Sequence, residues 1–283
     1  MVKKIFGKTY IYVILLIMYL PILILLFFSF QKTHVLKFAN VTTPTFKLYQ
    51  DLFNFKNSDS INIWNAVKNT FIIAISAAIV STIIGTLGAI GIFYSRRKIR
   101  NLINSVANIS IVNAEIVTAL SLRILYSLLK VDLNFATLLI GHVVLTIPFV
   151  VLNVTPKLAQ MDANEYEAAL DLGATPGIAL FKVVLPEIMP GIISGFLLSI
   201  TLSLDDYIIT AYTANPQYMT ISTYVYQQMV KSGVPLQLRS LTTIIFAVIA
   251  VGVVVYGKFF KSKEKKSSLR RSKRLWKTIN LLL

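Results

Sequence analysis

The sequence predicts an all-α membrane protein with six transmembrane helices and both termini in the cytoplasm. Of its 283 residues, 55% are hydrophobic and only 14% are charged, which is far from the composition of soluble proteins. Apolar runs long enough to cross a bilayer core of about 30 Å recur along the chain. Lysine and arginine concentrate at the two ends and between two of these runs, and such clusters stay on the cytoplasmic side of a membrane.

The first predicted transmembrane helix covers residues 10–30 and follows a lysine-rich N-terminus. A signal peptide has a shorter apolar core of about 7–15 residues and a small-residue cleavage site, so this run predicts a retained helix. Pro21 is expected to kink it. The polar residues that follow are expected to form an outer loop, so that residues 1–65 precede the main domain at residues 66–260.

The second and third predicted spans cover residues 66–94 and 102–129, on either side of a basic cluster. Small side chains at every fourth position of the second span predict a helix-packing face. They are Ala77, Ser81, Gly85 and Ala89. The third span contains Glu115 and Arg123, and ionisable groups in a membrane normally face a protein interior or a water-filled path. Arg123 is expected either to reach the outer interface or to pair with Glu115.

The fourth, fifth and sixth predicted spans cover residues 135–155, 191–212 and 241–259. Residues 213–238, between the last two spans, are expected to form an outer loop. The basic tail at residues 261–283 predicts a cytoplasmic C-terminus beside anionic lipid headgroups, with a nucleic-acid-binding arm as the less favoured alternative.

A polar loop at residues 158–190 is predicted to lie in the cytoplasm as a helix, a turn and a second helix. Asp162, with Glu165 three residues later, predicts a capping box at the start of the first helix. Gly173 is suited to a left-handed stop. Thr175 followed by proline predicts the start of the second helix, and Pro186 and Pro190 are expected to close that helix.

The spacing within this loop resembles the EAA loop of importer-type ABC transporter permeases, whose pattern is EAA-x3-G-x9-I-x-L-P. The matching residues are Glu167, Ala168, Ala169, Gly173, Val183, Leu185 and Pro186. Val183 replaces the usual isoleucine. The resemblance implies the six-helix type I importer architecture and a coupling helix that docks into a groove on a separate ATP-hydrolysing subunit. The alternative interpretation is an ordinary pair of amphipathic helices at the membrane interface.

The sequence shows no catalytic constellation. It has no cysteine, and its only histidines, His34 and His142, are interpreted as structural. The run from Gly252 to Lys258 imitates the start of a phosphate-binding loop, but Phe259 stands where Ser or Thr must bind magnesium. The chain is therefore expected to be no enzyme, to bind no metal or cofactor, and to depend on a partner ATPase.

Acidic residues within the predicted spans indicate the class of substrate. Glu115, Asp205 and Asp206 are expected to line a path of negative potential, which favours cations and repels anions such as phosphate. Tyr207 is expected to offer an aromatic face to an ammonium group. The alternative for the two aspartates is a structural role in capping or in hydrogen bonds between helices.

Three segments, at residues 113–117, 201–206 and 230–234, resemble the spermidine/putrescine permeases within this family. That resemblance covers roughly residues 60–260. It implies a permease that pairs with a second, PotB-like permease, a PotA-like ABC ATPase dimer and an extracellular, PotD-like polyamine-binding protein. Ala114 stands where these permeases have proline, so any break in the third helix is expected to be softer here.

Other functions stay open at this point. The same machine could import another solute, such as ferric ion, an amino acid or an opine. An ion channel would need no coupling loop, and a membrane-embedded enzyme would need a nucleophile and base that the sequence lacks. A purely structural membrane protein would leave the intramembrane acids unexplained.

Overall fold

The computed structural model describes residues 2–31, 44–231 and 236–252. Over these residues the chain is helical and contains no strand. The helices are α1 (Val2–Phe28), α2 (Lys47–Leu52), α3 (Ser58–Phe93), α4 (Arg97–Val112), α5 (Glu115–Leu128), α6 (Phe135–Gln160), α7 (Ala163–Asp171), α8 (Pro176–Ala179), α9 (Leu185–Asp205), α10 (Ile208–Thr213), α11 (Ile221–Lys231) and α12 (Leu236–Gly252). A π-helical turn (Leu180–Val184) joins α8 to α9, and a 3-10 turn (Pro216–Tyr218) precedes α11.

Four helices are long and apolar enough to cross a bilayer. They are Tyr10–Phe28, Ser58–Phe93, Phe135–Gln160 and the continuous helix Pro176–Asp205. The helix Leu236–Gly252 is apolar but shorter. The prediction of an all-α, multi-pass membrane protein is confirmed, whereas the count of six spans and the orientation of the termini stay predictions. The last seven residues of the predicted sixth span, and the basic tail, lie outside the described residues.

The described residues divide into two compact units, one within residues 2–60 and 236–252 and the other within residues 61–231. In the first unit, the end of α1 and the start of α2 meet through aromatic and polar contacts. The Phe30 ring lies 5.4 Å from that of Tyr49, and the Tyr49 hydroxyl is 2.8 Å from Ser29 Oγ. Ser240 on α12 donates a hydrogen bond to the backbone oxygen of Leu48. Residues 47–52, predicted as loop, are therefore helical.

The second unit is organised around α6. Small residues on α3 and α9 allow those two helices to approach α6 closely. A Cβ atom on Gly85 of α3 would lie 2.7 Å from Val150 Cβ. A Cβ atom on Gly191 of α9 would lie 2.8 Å from the backbone oxygen of Asn153. The predicted packing face on α3 is confirmed, since all four of its small residues are buried. A similar buried stripe on α9, which was not predicted, consists of Gly191, Gly195, Ser199 and Ser203.

Two predicted spans are broken within the second unit. The third divides into α4 and α5 at Asn113 and Ala114, where Ala114 is extended with ψ of 132°. The fifth ends as a helix at Asp205, and Asp206 is extended with ψ of 130° before α10 begins. The prediction of one unbroken helix was wrong for the fifth span, whereas the third span has the local break that the family resemblance implied. Most of the loop predicted after the fifth span is also helical, as the last part of α10, α11 and the start of α12.

Substitution of Gly191 by alanine tests the close approach of α9 to α6. The added methyl would meet a backbone oxygen that cannot move cheaply, so we expect a loss of about 1–3 kcal/mol in the free energy of unfolding. Gly88→Ala is the matched control, because no atom lies within 4 Å of its added Cβ and alanine favours helix. Thermal unfolding in detergent measures the stability of both variants. Equal unfolding temperatures for the two variants would contradict the close approach of α9 to α6.

Candidate functional site

Two acidic side chains lie where the two broken helices meet. Glu115 is the first residue of α5 and Asp205 is the last residue of α9. Both side chains are exposed on this chain. Glu115 lies within electrostatic range of both Asp205 and Asp206, and α10 packs against α5. The structure therefore brings together the three acids that the sequence placed on one path. Broken helices in membranes are tolerated where they are covered by protein or line a cavity.

Asp206 differs from its neighbour because its side chain is buried, with 5% of its surface exposed. One carboxylate oxygen accepts the N–H of Ile209 at 3.0 Å. The other accepts the N–H of Thr210 at 2.9 Å and the Thr210 hydroxyl at 2.8 Å. These bonds satisfy backbone donors in the first turn of α10, as a helix cap does. The capping alternative therefore describes Asp206, whereas the Asp205 side chain is exposed.

His142 on α6 contacts both sides of the break. Its Nδ1 atom lies 2.8 Å from Ser203 Oγ on α9, and its Nε2 atom lies 3.0 Å from Thr210 Oγ1 on α10. Nε2 is also 3.6 Å from Asp206 Oδ2. The ring is fully buried. The structural interpretation of this histidine holds in part, but no pattern in the sequence indicates that it bridges two helices around an aspartate.

Tyr207 is paired with a second aromatic residue that was not predicted to belong to the site. Its ring lies 4.6 Å from that of Tyr226 on α11, with an angle of 40° between the ring planes. Tyr207 is half-buried and Tyr226 is exposed. Two tyrosine faces therefore lie beside the break that carries Asp205, and aromatic faces attract ammonium groups.

Arg123 forms no ion pair with Glu115, although both residues are described by the structure. Eight helical residues separate them along the axis by about 12 Å, which exceeds the reach of a direct pair. The pairing alternative is therefore wrong. Arg123 instead lines a cleft of about 410 Å³ at the far end of α5. Glu115 is consequently not neutralised by this arginine.

The first helix of the polar loop begins and ends close to the predicted positions. Asp162 caps α7, but its carboxylate accepts the N–H of Asn164 rather than that of Glu165. The predicted capping box is therefore incomplete. Gly173 has a φ of +86°, as a left-handed stop requires. Its N–H bonds to Leu170 O, and the next N–H bonds to Ala169 O, which together form a Schellman motif.

An aromatic contact joins α7 to the end of α3. The ring of Tyr166 lies 5.7 Å from that of Tyr94, just beyond the end of α3. Burial raises the pKa of Tyr94 and the neighbouring Tyr166 raises it further, so the Tyr94 phenol stays neutral. The opposite face of α7, with Glu167 and Ala168, is exposed, whereas Ala169 is half-buried. Leu172, which was not predicted to belong to the site, is 89% exposed beside this face.

The second helix of the loop does not end at its prolines. Thr175 caps it as predicted, with Oγ1 accepting the N–H of Ile178. The chain then continues through the π turn into α9, past Pro186 and Pro190. In the π turn the N–H of Leu185 bonds to the oxygen of Leu180, five residues earlier. Pro186 follows this turn directly, and it has no N–H to donate to the continuing helix.

The remaining matched residues of the loop lie on this continuous helix. Val183 and Leu185 are half-buried, and Pro186 is exposed. The π turn and α9 belong to one continuous helix, which runs from the loop to Asp205.

Known proteins are similar to this chain in sequence and in fold. The family model described as "Binding-protein-dependent transport system inner membrane component" matches residues 81–260. The spermidine/putrescine transport system permease protein PotC of Escherichia coli (strain K12) is 31% identical over 249 residues, which cover 88% of this chain and 91% of that protein. The putrescine transport system permease protein PotI of the same strain is 32% identical over 245 residues, covering 84% and 83%.

A more distant relative and a solved structure extend the comparison. The PotC homolog of Mycoplasma genitalium is 26% identical over 274 residues, which cover 93% of this chain and 94% of that protein. A crystal structure of a bacterial ABC transporter involved in the import of the acidic polysaccharide alginate superposes with a TM-score of 0.65. It covers 92% of this chain and 96% of that chain at 17% identity, so the likeness is one of fold.

Proposed function

The chain belongs to the family of binding-protein-dependent transport system inner membrane components, and we propose that it is the permease subunit of an ATP-driven importer for polyamines. The observation that carries the substrate class is the acidic break, where Asp205 and Glu115 are both exposed and within electrostatic range of one another. The relatives whose names specify spermidine or putrescine support it. A linear polycation offers several ammonium groups to such a set of acids.

The transport path would be completed by a second permease subunit. The exposed carboxylates of this chain need a cover to exclude lipid, because a charged group facing hydrocarbon is costly. A PotB-like partner would supply that cover, and an extracellular, PotD-like protein would deliver the polyamine. Nothing in this arrangement requires tight binding at the break, since a substrate that is held tightly cannot be released.

The energy would come from an ABC ATPase dimer on the cytoplasmic side. We assign docking to the exposed face of α7, with Glu167 as the anion and Ala168 as the small residue that permits close approach. Gly173 sets the turn, and Val183, Leu185 and Pro186 carry the movement into α9. The basic clusters of the sequence support cytoplasmic N- and C-termini. ATP-driven closure of the dimer would then open the acidic break toward the cytoplasm.

Uptake by the reconstituted complex tests this function. Proteoliposomes would contain this chain, its second permease and its ATPase, with the binding protein outside and ATP inside. We expect ATP-dependent uptake of labelled spermidine that excess unlabelled spermidine or putrescine suppresses, and that ferric ion, amino acids and opines leave unchanged. Import of one of those other solutes in place of polyamines would show the substrate assignment to be wrong, with the permease assignment intact. Solute flux without ATP would indicate a channel.

A further inference from the structure

We propose that His142 is a positioning residue that sets the direction in which Asp205 projects from the break between α9 and α10. This proposal rests on the proposed function only in the statement that Asp205 meets the substrate. The position of Asp205 itself is a matter of geometry within one chain.

The ring of His142 lies between the two sides of the break. His142 belongs to α6, and its two nitrogens contact different helices, at Ser203 before the break and Thr210 after it. Six residues lie between these two contacts in sequence, and Asp205 and Asp206 are among them. A single rigid ring therefore fixes the distance across the break.

The hydrogen bonds have a definite direction. The Thr210 hydroxyl donates to Asp206 Oδ2, so its oxygen accepts from Nε2–H of the histidine. Nδ1 is then unprotonated and accepts from the Ser203 hydroxyl. Each donor is used once, in a chain from Ser203 through His142 and Thr210 to Asp206. The neutral ring with its proton on Nε2 satisfies every polar atom of this buried chain.

Close packing beside the His142 ring prevents α10 from taking other positions against α6. Gly141 precedes His142 on α6, and a Cβ atom there would lie 2.7 Å from Ile209 Cγ2 and 3.1 Å from Thr213 Oγ1. The helix α10 therefore rests directly against the α6 backbone and cannot approach further. With Ser203 and Thr210 held, the extended residue Asp206 fixes the last turn of α9, and the Asp205 side chain is left on the exposed side.

If His142 were purely structural, it would stabilise the second unit without setting the direction of the Asp205 side chain. Substitutions at two serines on α9 distinguish these two roles. Ser203 and Ser199 are both buried and lie one helical turn apart on the same stripe. Ser203 bonds to His142, whereas the Ser199 hydroxyl donates to Gly195 O within its own helix at 2.9 Å. Ser203→Ala and Ser199→Ala therefore make the same change in volume, and only the first breaks the link.

Cysteine labelling reports the position of residue 205. The chain has no cysteine, so Asp205→Cys creates its only thiol. Modification by a charged methanethiosulfonate reagent would be measured on this chain in the assembled complex, with added Ser203→Ala, His142→Leu or Ser199→Ala. We expect the first two to change the modification rate by about fivefold or more, the size of effect typical of one buried hydrogen bond. Ser199→Ala should leave it unchanged.

Transport kinetics, with Asp205 intact, give the second measurement. Ser203→Ala and His142→Leu are expected to raise the KM for spermidine by a similar factor, with assembly and maximal ATPase rate retained. Equal labelling rates in all three variants, or an equal change in Ser199→Ala and Ser203→Ala, would overturn the proposal. If the parent complex moves no polyamine, the labelling comparison still decides the role of His142, and the substrate assignment alone fails.

Discussion

Replacement of Asp205 by asparagine is expected to lower polyamine uptake at least about tenfold while the complex still assembles. The carboxylate is exposed at the end of α9 and has no ion-pair partner among the described residues. Its attraction for an ammonium group at contact distance is about 1–4 kcal/mol in a partly solvated path, and about 1.4 kcal/mol corresponds to a factor of ten. Asparagine keeps the volume and removes the charge, so the loss would be electrostatic.

The measurement is the initial rate of labelled spermidine uptake at several concentrations, with assembly followed by copurification of the partner subunits. Asp132→Asn is the matched control, since Asp132 is an exposed acid on the connection between α5 and α6, away from both helix breaks. We expect it to transport normally. If Asp205→Asn and Asp132→Asn have the same uptake, the acidic break does not carry the substrate.

The neighbouring aspartate should respond differently, because its negative charge is used inside the protein. Asp206 accepts three hydrogen bonds in the first turn of α10. The amide nitrogen that Asp206→Asn introduces cannot accept a hydrogen bond, so the donors at one of the two oxygen positions would lose their acceptor. The result expected for Asp206→Asn is a lower unfolding temperature and less assembled complex, in contrast to the folded but slow Asp205→Asn.

The features that could be predicted from the sequence are those that depend on local chemistry. Gly173 needs a left-handed φ that other residues avoid, so its role follows from its identity. Thr175 with Pro176 similarly defines a helix start. The small residues on α3 repeat every four positions and therefore form one face of a helix. The same reasoning applied to α9 would have found its buried stripe.

The features that could not be predicted depend on contacts between distant segments. Apolar residues lie on both sides of Asn113–Ala114 and of the Asp pair, so hydropathy predicts one span at each place, and only the family resemblance implied a break in the third. Asp206 caps α10 because the chain breaks there, and the sequence does not show that His142, 64 residues earlier, packs against this break. Pro186 indicates a helix stop unless the π turn before it is known. With the π turn, one continuous helix connects the loop at residues 158–190 to Asp205.

That connection gives the second large prediction, which concerns Glu167. Glu167→Lys is expected to reduce binding of the ATPase about 30-fold or more and to abolish uptake, because reversing a charge at a docking surface costs about 2–5 kcal/mol. Glu167 is exposed on α7, and Tyr166 beside it anchors the helix through its contact with Tyr94, so the fold should tolerate the change. Copurification of the ATPase with the permease pair, and spermidine-stimulated ATP hydrolysis, measure the effect.

Glu165→Lys is the control that separates the position of Glu167 from the overall charge of the loop. Glu165 is exposed on the same helix, two residues earlier, and points about 200° away around the axis. Its reversal removes a favourable charge from the helix N-terminus at a cost of at most about 1 kcal/mol, so ATPase binding should be nearly normal. If both reversals release the ATPase equally, binding depends on the overall charge of the loop. If neither does, the exposed face of α7 is not the docking surface, and force must enter α9 by another route.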